Sequence, residues 1–124
     1  MRPEEELTSA AATGNTERVK HLLQSGVNGN GVNGFQRTPL QVMMMGSTPV
    51  ARLLLEHGAV PNVRDCSTGT TPLHDAARTG YLETVRLLVE FHADSQATDN
   101  NNCRPVDLAQ LNGHQEVVDF LLSI

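Results

Sequence analysis

The residues whose types could do catalytic chemistry in this chain are five histidines, two cysteines and the serines and carboxylates beside them. No two histidines share the H-x3-H spacing of a zinc site. Cys66 and Cys103 stand 37 residues apart with no C-x2-C and no neighbouring histidine. Ser9 and Ser47 lack the G-x-S-x-G setting of an exposed serine nucleophile. His74 and Asp75 are adjacent, and consecutive residues of a helix point in different directions. The run from Gly26 to Gly34 resembles a phosphate loop superficially, but such a loop ends in Gly-Lys, and no glycine here precedes a lysine. Its Asn-Gly pairs favour tight turns instead, so a hairpin is expected there. These residues assemble no catalytic constellation. The chain is read as a binding protein, not an enzyme, with no metal and no cofactor.

Charge narrows the partner. Nine Lys and Arg against fourteen Asp and Glu leave a net charge of −5 and a pI near 5.4. Nucleic acid and anionic lipid both select for basic patches, so neither is expected as a partner. Lys20 is the only lysine. No apolar run approaches the ~20 residues of a membrane span, and the start, Met1-Arg2-Pro3-Glu4-Glu5-Glu6, has no leader pattern. The expectation is a soluble protein of the cytoplasm and nucleus, monomeric when free, with reduced thiols. Hydrophobic residues make up 39% of the chain, enough for a core, yet aromatics are only 3%. That core must be built from Leu, Val, Ala and Met.

Repeats supply the elements. Thr38-Pro39-Leu40 recurs 33 residues later as Thr71-Pro72-Leu73, and after another 33 as Arg104-Pro105-Val106. Leu7 holds the same phase one period earlier. Leu22-Leu23, Leu54-Leu55, Leu88-Val89 and Leu121-Leu122 keep pace, as do Ala10-Ala11, Ala76-Ala77 and Ala109, then Gly14, Gly80 and Gly113. Thr71-Pro72-Leu73-His74 followed by Ala76 matches the ankyrin signature at the ankyrin period. The pattern predicts an all-α ankyrin-repeat solenoid of four helix-turn-helix repeats with short hairpin-like loops. The repeats run approximately over 5–32, 33–65, 66–98 and 99–124, and residues 1–124 are read as a single domain. Thr71 should cap an inner helix with Pro72 at its first position, and Gly80 should turn the chain. Leu82, Val85, Leu88 and Val89 form the apolar stripe of an outer helix, and further outer helices are expected near 16–24, 49–57 and 115–123. His57 and His92 are placed at equivalent positions closing outer helices. All five histidines are read as structural.

The second repeat is irregular. Leu7 to Leu22, Leu73 to Leu88 and Val106 to Leu121 each span 15 residues, but Leu40 to Leu54 spans 14. Met43-Met44-Met45 stands where the third repeat has Ala76-Ala77-Arg78. An inner helix one residue short, with bulky groups at a stacking position, should be distorted or reduced to a turn. The loop from Gly58 to Thr71 is one residue longer than its counterpart and restores the phase. Neutral drift in a tolerant repeat accounts for this, and so does a reshaped binding face rich in adaptable Met.

Inner helices and loop tips make up the concave face of an ankyrin stack. Asn33, Asp65 and Asp99 are placed at the tips, with Asp75, Arg78, Tyr81 and Glu83 nearby. Asp75 suits a helix first turn, worth about 0.3–1 kcal/mol, and equally suits pairing with a partner's Arg. Tyr81, the only Tyr, should be partly exposed.

Gln41-Val42-Met43-Met44-Met45-Gly46-Ser47, followed by Leu53-Leu54-Leu55-Glu56-His57-Gly58-Ala59, resembles the second repeat of the ankyrin-repeat inhibitors of cyclin-D-dependent kinases. His74-Asp75-Ala76-Ala77-Arg78 and Arg104-Pro105-Val106-Asp107-Leu108-Ala109 are similar to their later repeats. The resemblance runs from about Leu7 to Leu122. It implies a protein that binds the kinase catalytic subunit opposite the cyclin, distorts the ATP cleft and restrains entry into DNA synthesis. It further implies that Asp75 pairs with a kinase Arg, and that Met43 and Met44 lie at the interface. Asn33, Asp65, Arg78, Tyr81, Glu83 and Glu17 match lesser contacts. Asn15 replaces an Arg, and Asn101 a Trp, of some family members. An ankyrin scaffold for an unrelated protein is the other reading.

Overall fold

A computed structural model of the chain describes residues 2–124, so Met1, with which the N-terminal reading began, lies outside the described residues. Eight helices follow in order: α1 (Pro3–Ala12), α2 (Thr16–Gln24), α3 (Pro39–Val42), α4 (Thr48–Glu56), α5 (Pro72–Thr79), α6 (Leu82–Glu90), α7 (Pro105–Leu111) and α8 (Gln115–Ser123). They pair as four helix-turn-helix repeats, and no strand occurs among the described residues. The helices group into two compact units, Met1–Val60 and Pro61–Ile124, each taken in turn.

In the first unit α1 packs on α2 and α3, and α2 on α4. Leu7, Ala11, Val19, Leu40, Val50, Ala51 and Leu54 are fully buried and form its core. Each such Leu contributes roughly 1.5–3 kcal/mol relative to exposure. Helix α2 starts where the Asn15 side chain accepts the Arg18 N–H at 3.2 Å. Asn at this position is therefore a cap, satisfying one of the unpaired N–H groups of the first turn. Helix α3 is a single turn, as the missing residue predicts. Thr38 and Gln41 close a full capping box, yet the helix stops at Met43, whose φ of −57° and ψ of 156° are no longer helical. The next N–H, from Met44, donates instead to the Ala11 carbonyl of α1 at 3.0 Å.

In the second unit α5 packs on α6 and α7, and α8 covers α6 and α7. Leu73, His74, Ala76, Ala77, Thr84, Val85, Leu88 and Ala109 are fully buried. Three of these eight are alanines on inner helices, which allows close stacking without aromatic mass. Thr71 caps α5, Pro72 occupies its first turn, and Gly80 ends it at φ 82°, a left-handed conformation that favours glycine. The buried stripe of α6 is Thr84, Val85, Leu87 and Leu88. Leu82 and Val89, expected on it, are only half-buried, because the stripe turns toward α5 and α8 together.

The outer helices fall where the spacing predicts, except that α4 runs Thr48–Glu56, one residue earlier than expected. His57 and His92 are not equivalent. His57 is the C-cap of α4 at φ −97°, whereas His92 takes φ 71° one position later, in the phase where Gly58 has φ 87°. Counting back from the shared Gly/His-Ala step, rather than from the histidines, gives this alignment.

Two features organise the loops. Each tip is closed by one N–H to C=O bond: Asn33 to Arg37 (2.9 Å), Asp65 to Thr70 (2.8 Å) and Asp99 to Cys103 (2.9 Å). The extra residue that restores the phase therefore sits inside the Asp65–Thr70 tip. There Gly69 adopts φ 74° and passes so close to Asn100 that a Cβ would lie 2.5 Å from its Oδ1. The second feature is a rung inside each unit. Asn30 donates to the Gly58 carbonyl (2.9 Å) and accepts the Val60 N–H (2.7 Å). Asn62 repeats this with the His92 carbonyl (3.2 Å) and the Asp94 N–H (2.7 Å).

Candidate partner-binding surface

The residues expected to meet a partner fall in both units. In the second unit, Asp75 lies in the first turn of α5, which the Thr71–His74 capping box fixes. His74 Nδ1 accepts the Thr71 N–H at 3.1 Å, so the imidazole carries its proton on Nε2, which donates to the Cys103 carbonyl at 2.8 Å. The result is a rigid first turn tied to the following repeat. His74 is fully buried, which bears out its structural reading.

From that platform the Asp75 side chain, 25% exposed, meets Arg78 one turn on at 3.5 Å. Burial holds the Asp75 carboxyl above the usual carboxylate range, the Asp65 charge pushes the same way, and the Arg78 guanidinium only partly opposes them. A surface pair of this length contributes about 0–1 kcal/mol. Asp75 is thus a partly desolvated carboxylate with a weak partner, an arrangement that costs stability and favours an incoming cation. Tyr81, the N-cap of α6, makes no side-chain cap bond and is 48% exposed, as expected. Glu83 follows it, exposed, in the first turn of α6. Asp65 is committed to its own tip: its Oδ1 accepts the Ser67 N–H (2.8 Å), the Ser67 hydroxyl (2.6 Å) and the Thr68 N–H (3.3 Å). The unit brings both Asp65 and Arg78 within electrostatic range of Asp75.

In the first unit the methionines part company. Met44 is 50% exposed, with its sulfur over Gly14, where a Cβ would lie 3.0 Å away. Met43, expected at the interface, is instead 4% exposed, because the chain turns at Met43 and aims its side chain into the core. Asn33 forms a tip, its Oδ1 accepting the Phe35 and Arg37 N–H groups at 2.8 and 3.2 Å. Beside it opens a depression of about 430 Å3 lined by Glu5, Thr8, Ser9, Ala12, Phe35 and Val42. Glu17 is elsewhere. It lines a depression of about 300 Å3 between α2 and α4 with Lys20, Arg52 and Glu56.

Sequence reasoning passed over Phe35, which is 76% exposed at the Asn33–Arg37 tip. Its signal was there: an aromatic two residues after the tip Asn, in the phase of Ser67 and Asn101. Among the described residues no cluster of three or more His, Cys, Asp or Glu could hold a metal, and no helix is long and apolar enough to cross a membrane.

Comparison with known proteins agrees with this architecture. A family model for ankyrin repeats matches residues 7–99 and 62–124. Human "Cyclin-dependent kinase 4 inhibitor B" is 50% identical over 118 residues, covering 95% of this chain and 86% of that protein. "Cyclin-dependent kinase inhibitor 2A" is 48% identical in Monodelphis domestica, over 97% of this chain and 70% of the relative. The human protein of that name is also 48% identical, over 93% of this chain and 74% of its own length.

Proposed function

Because this chain belongs to the ankyrin-repeat family of cyclin-dependent kinase inhibitors, we propose that it inhibits a cyclin-D-dependent protein kinase by binding the catalytic subunit. It acts by binding and performs no catalysis of its own. The observation that carries this reading is Asp75: a partly desolvated carboxyl on a rigid turn, paired weakly with Arg78 at 3.5 Å. A kinase Arg placed against it forms a charge-assisted bond stronger than the one it replaces. Tyr81, Glu83 and Arg78 surround that contact, and Asp65 and Asn33 serve chiefly by shaping their tips. Met44 and Phe35 are the apolar contacts of the first unit, with Met43 buried in its core and Glu17 a peripheral charge. Bound opposite the cyclin, the protein favours a kinase state with a distorted ATP cleft and opposes cyclin activation, which restrains the G1/S transition. Differential affinity for two kinase states is all this requires.

Asp75→Asn tests it. The change keeps the volume and removes a charge that burial disfavours, so the fold should be unharmed or slightly steadier. Affinity for the kinase should fall by ~2–5 kcal/mol, because the kinase Arg is left desolvated and unpaired. Calorimetric titration against cyclin-D-dependent kinase, with and without cyclin, reads the loss beside a circular dichroism melt. A folded Asp75→Asn protein that binds like wild type removes Asp75 from the interface. Recovery of an unrelated partner, with no kinase bound, would favour the scaffold reading.

A further inference from the structure

Four asparagines precede glycine: Asn28, Asn30, Asn33 and Asn112. In unfolded chain all four are alike, because glycine lacks the Cβ that would shield its peptide nitrogen from the Asn side chain. The fold separates them. Both amide atoms of Asn30 are engaged, by the Gly58 carbonyl and the Val60 N–H, and the Gly31 N–H donates to the Asn28 carbonyl at 3.1 Å. Asn112 donates to the Leu108 carbonyl at 2.8 Å, while the Gly113 N–H bonds the Gln110 carbonyl at 3.2 Å. In both, amide and nucleophile are tied down. At Asn28 one N–H, from Asn30, reaches the side-chain oxygen at 2.9 Å, and Gly29 is buried. Asn33 differs. Two backbone N–H groups, from Phe35 and Arg37, point at its Oδ1, and Gly34 is exposed with no carbonyl acceptor for its N–H among the described residues.

We propose that Asn33-Gly34 is a self-modification site, at which the folded protein deamidates its own loop tip with water as the only co-reactant. The Gly34 peptide nitrogen attacks Asn33 Cγ. A C–N bond forms, the oxygen takes up negative charge, and the Phe35 and Arg37 N–H groups stabilise it as an oxyanion hole does. The Cγ–Nδ2 bond then breaks, the Gly34 proton leaves with the amide as ammonia, and a succinimide ring remains. Hydrolysis of either ring carbonyl gives aspartate or isoaspartate at position 33.

The two products have different consequences. Aspartate restores the residue type at the equivalent tips, where the Asp65 and Asp99 Oδ1 atoms already accept backbone N–H groups. The tip survives with one more negative charge. Isoaspartate adds a methylene to the main chain between the Asn33 N–H and its Arg37 acceptor, and so opens the tip.

The test follows the full chain during incubation at mildly alkaline pH, with peptide mapping by mass spectrometry and an isoaspartate methyl-transfer assay. In guanidinium the four asparagines should convert at similar rates. In the folded protein Asn33 should convert first, Asn28 next, and Asn30 and Asn112 should be suppressed. Gly34→Ala should abolish most conversion at position 33 while the fold is kept. An Ala Cβ there meets only Glu5 Oε1 at 3.8 Å, an ordinary contact. Folded protein in which Asn33 converts no faster than Asn30, or a folded Gly34→Ala variant that converts at the wild-type rate, overturns the proposal.

Discussion

The inner helices α3 and α5 begin alike and end differently. Each opens with Thr-Pro-Leu and a complete capping box, closed by Gln41 in one and His74 in the other. Helix α5 then runs eight residues to a left-handed glycine, whereas α3 ends after four. The side chain that completes the box decides what else the turn can do. Gln41 Oε1 accepts the Thr38 N–H at 2.7 Å. His74 does the same through Nδ1 and uses Nε2 to hold the Cys103 carbonyl of the next repeat. In the first unit the corresponding tie is made by main chain, from the Met44 N–H to the Ala11 carbonyl, and it exists only because α3 has unwound. A repeat can therefore give up helix length at a stacking position and still be anchored, at the cost of fewer buried contacts. Such a four-residue helix has no independent stability and depends on its neighbours.

The largest effect that could break this comparison comes from truncating matched core leucines. Leu54→Ala and Leu88→Ala each remove a fully buried side chain and should cost roughly 2–5 kcal/mol, a large part of the ~5–15 kcal/mol typical of a domain. The loss at Leu88 should be the greater, because packing around the full-length α5 collapses less readily into the space. Equal shifts in circular dichroism melts would contradict the contrast.

His74→Ala against Gln41→Ala isolates the His74–Cys103 bond from the cap. His74→Ala leaves the Thr71 N–H and Cys103 carbonyl without their bonds and should cost about 2–4 kcal/mol. Gln41→Ala loses only part of a cap, about 0.5–1 kcal/mol. Denaturant midpoints measure both, and similar values would mean that the Nε2 bond adds nothing.

Hydrogen exchange sharpens the contrast without mutation. Amides of α1 and α3 should open at a free energy about 1–2 kcal/mol below those of α5 and α7, since stability follows local burial. Uniform protection across the four inner helices would end the distinction.

Smallest is the dependence on pH, where two aspartates of the second unit act in opposite senses. The Arg104 backbone N–H, donating to the carboxylate at 2.8 Å, holds Asp107 below the usual carboxylate range. Its stabilisation is present above the unfolded value and is lost as pH falls through the folded one. Asp75 is held above that range by burial, so the folded state binds its proton the more tightly and stability falls as pH rises through its titration. Asp107→Asn should flatten the acid limb of a stability profile, and Asp75→Asn should not lower stability at neutral pH. The reverse pattern would mean that these environments have been misread.

Local rules were legible from end to end. The 33-residue period placed the four outer helices to within a residue, and Thr71, Pro72 and Gly80 marked the start and stop of α5, because capping and left-handed turns depend on neighbours close in sequence. The 14-residue gap from Leu40 to Leu54 was enough to shorten α3. Asp75 and Tyr81 were likewise placed by phase alone.

What the sequence could not decide is where packing between distant segments divides adjacent residues. Met43 and Met44 have the same side chain and the same family resemblance, yet one is buried and the other half-exposed, because a carbonyl 33 positions earlier captures the Met44 N–H. Four Asn-Gly steps are identical as dipeptides, and only the folded hydrogen bonds set Asn33 apart. His74 reads as a helix-start residue by spacing, and only the packed structure brings its second nitrogen to a carbonyl 29 residues away. Caps and periods are short-range properties that a sequence carries directly. Burial, desolvation and cross-repeat bonds depend on atoms that come together only after the chain has folded.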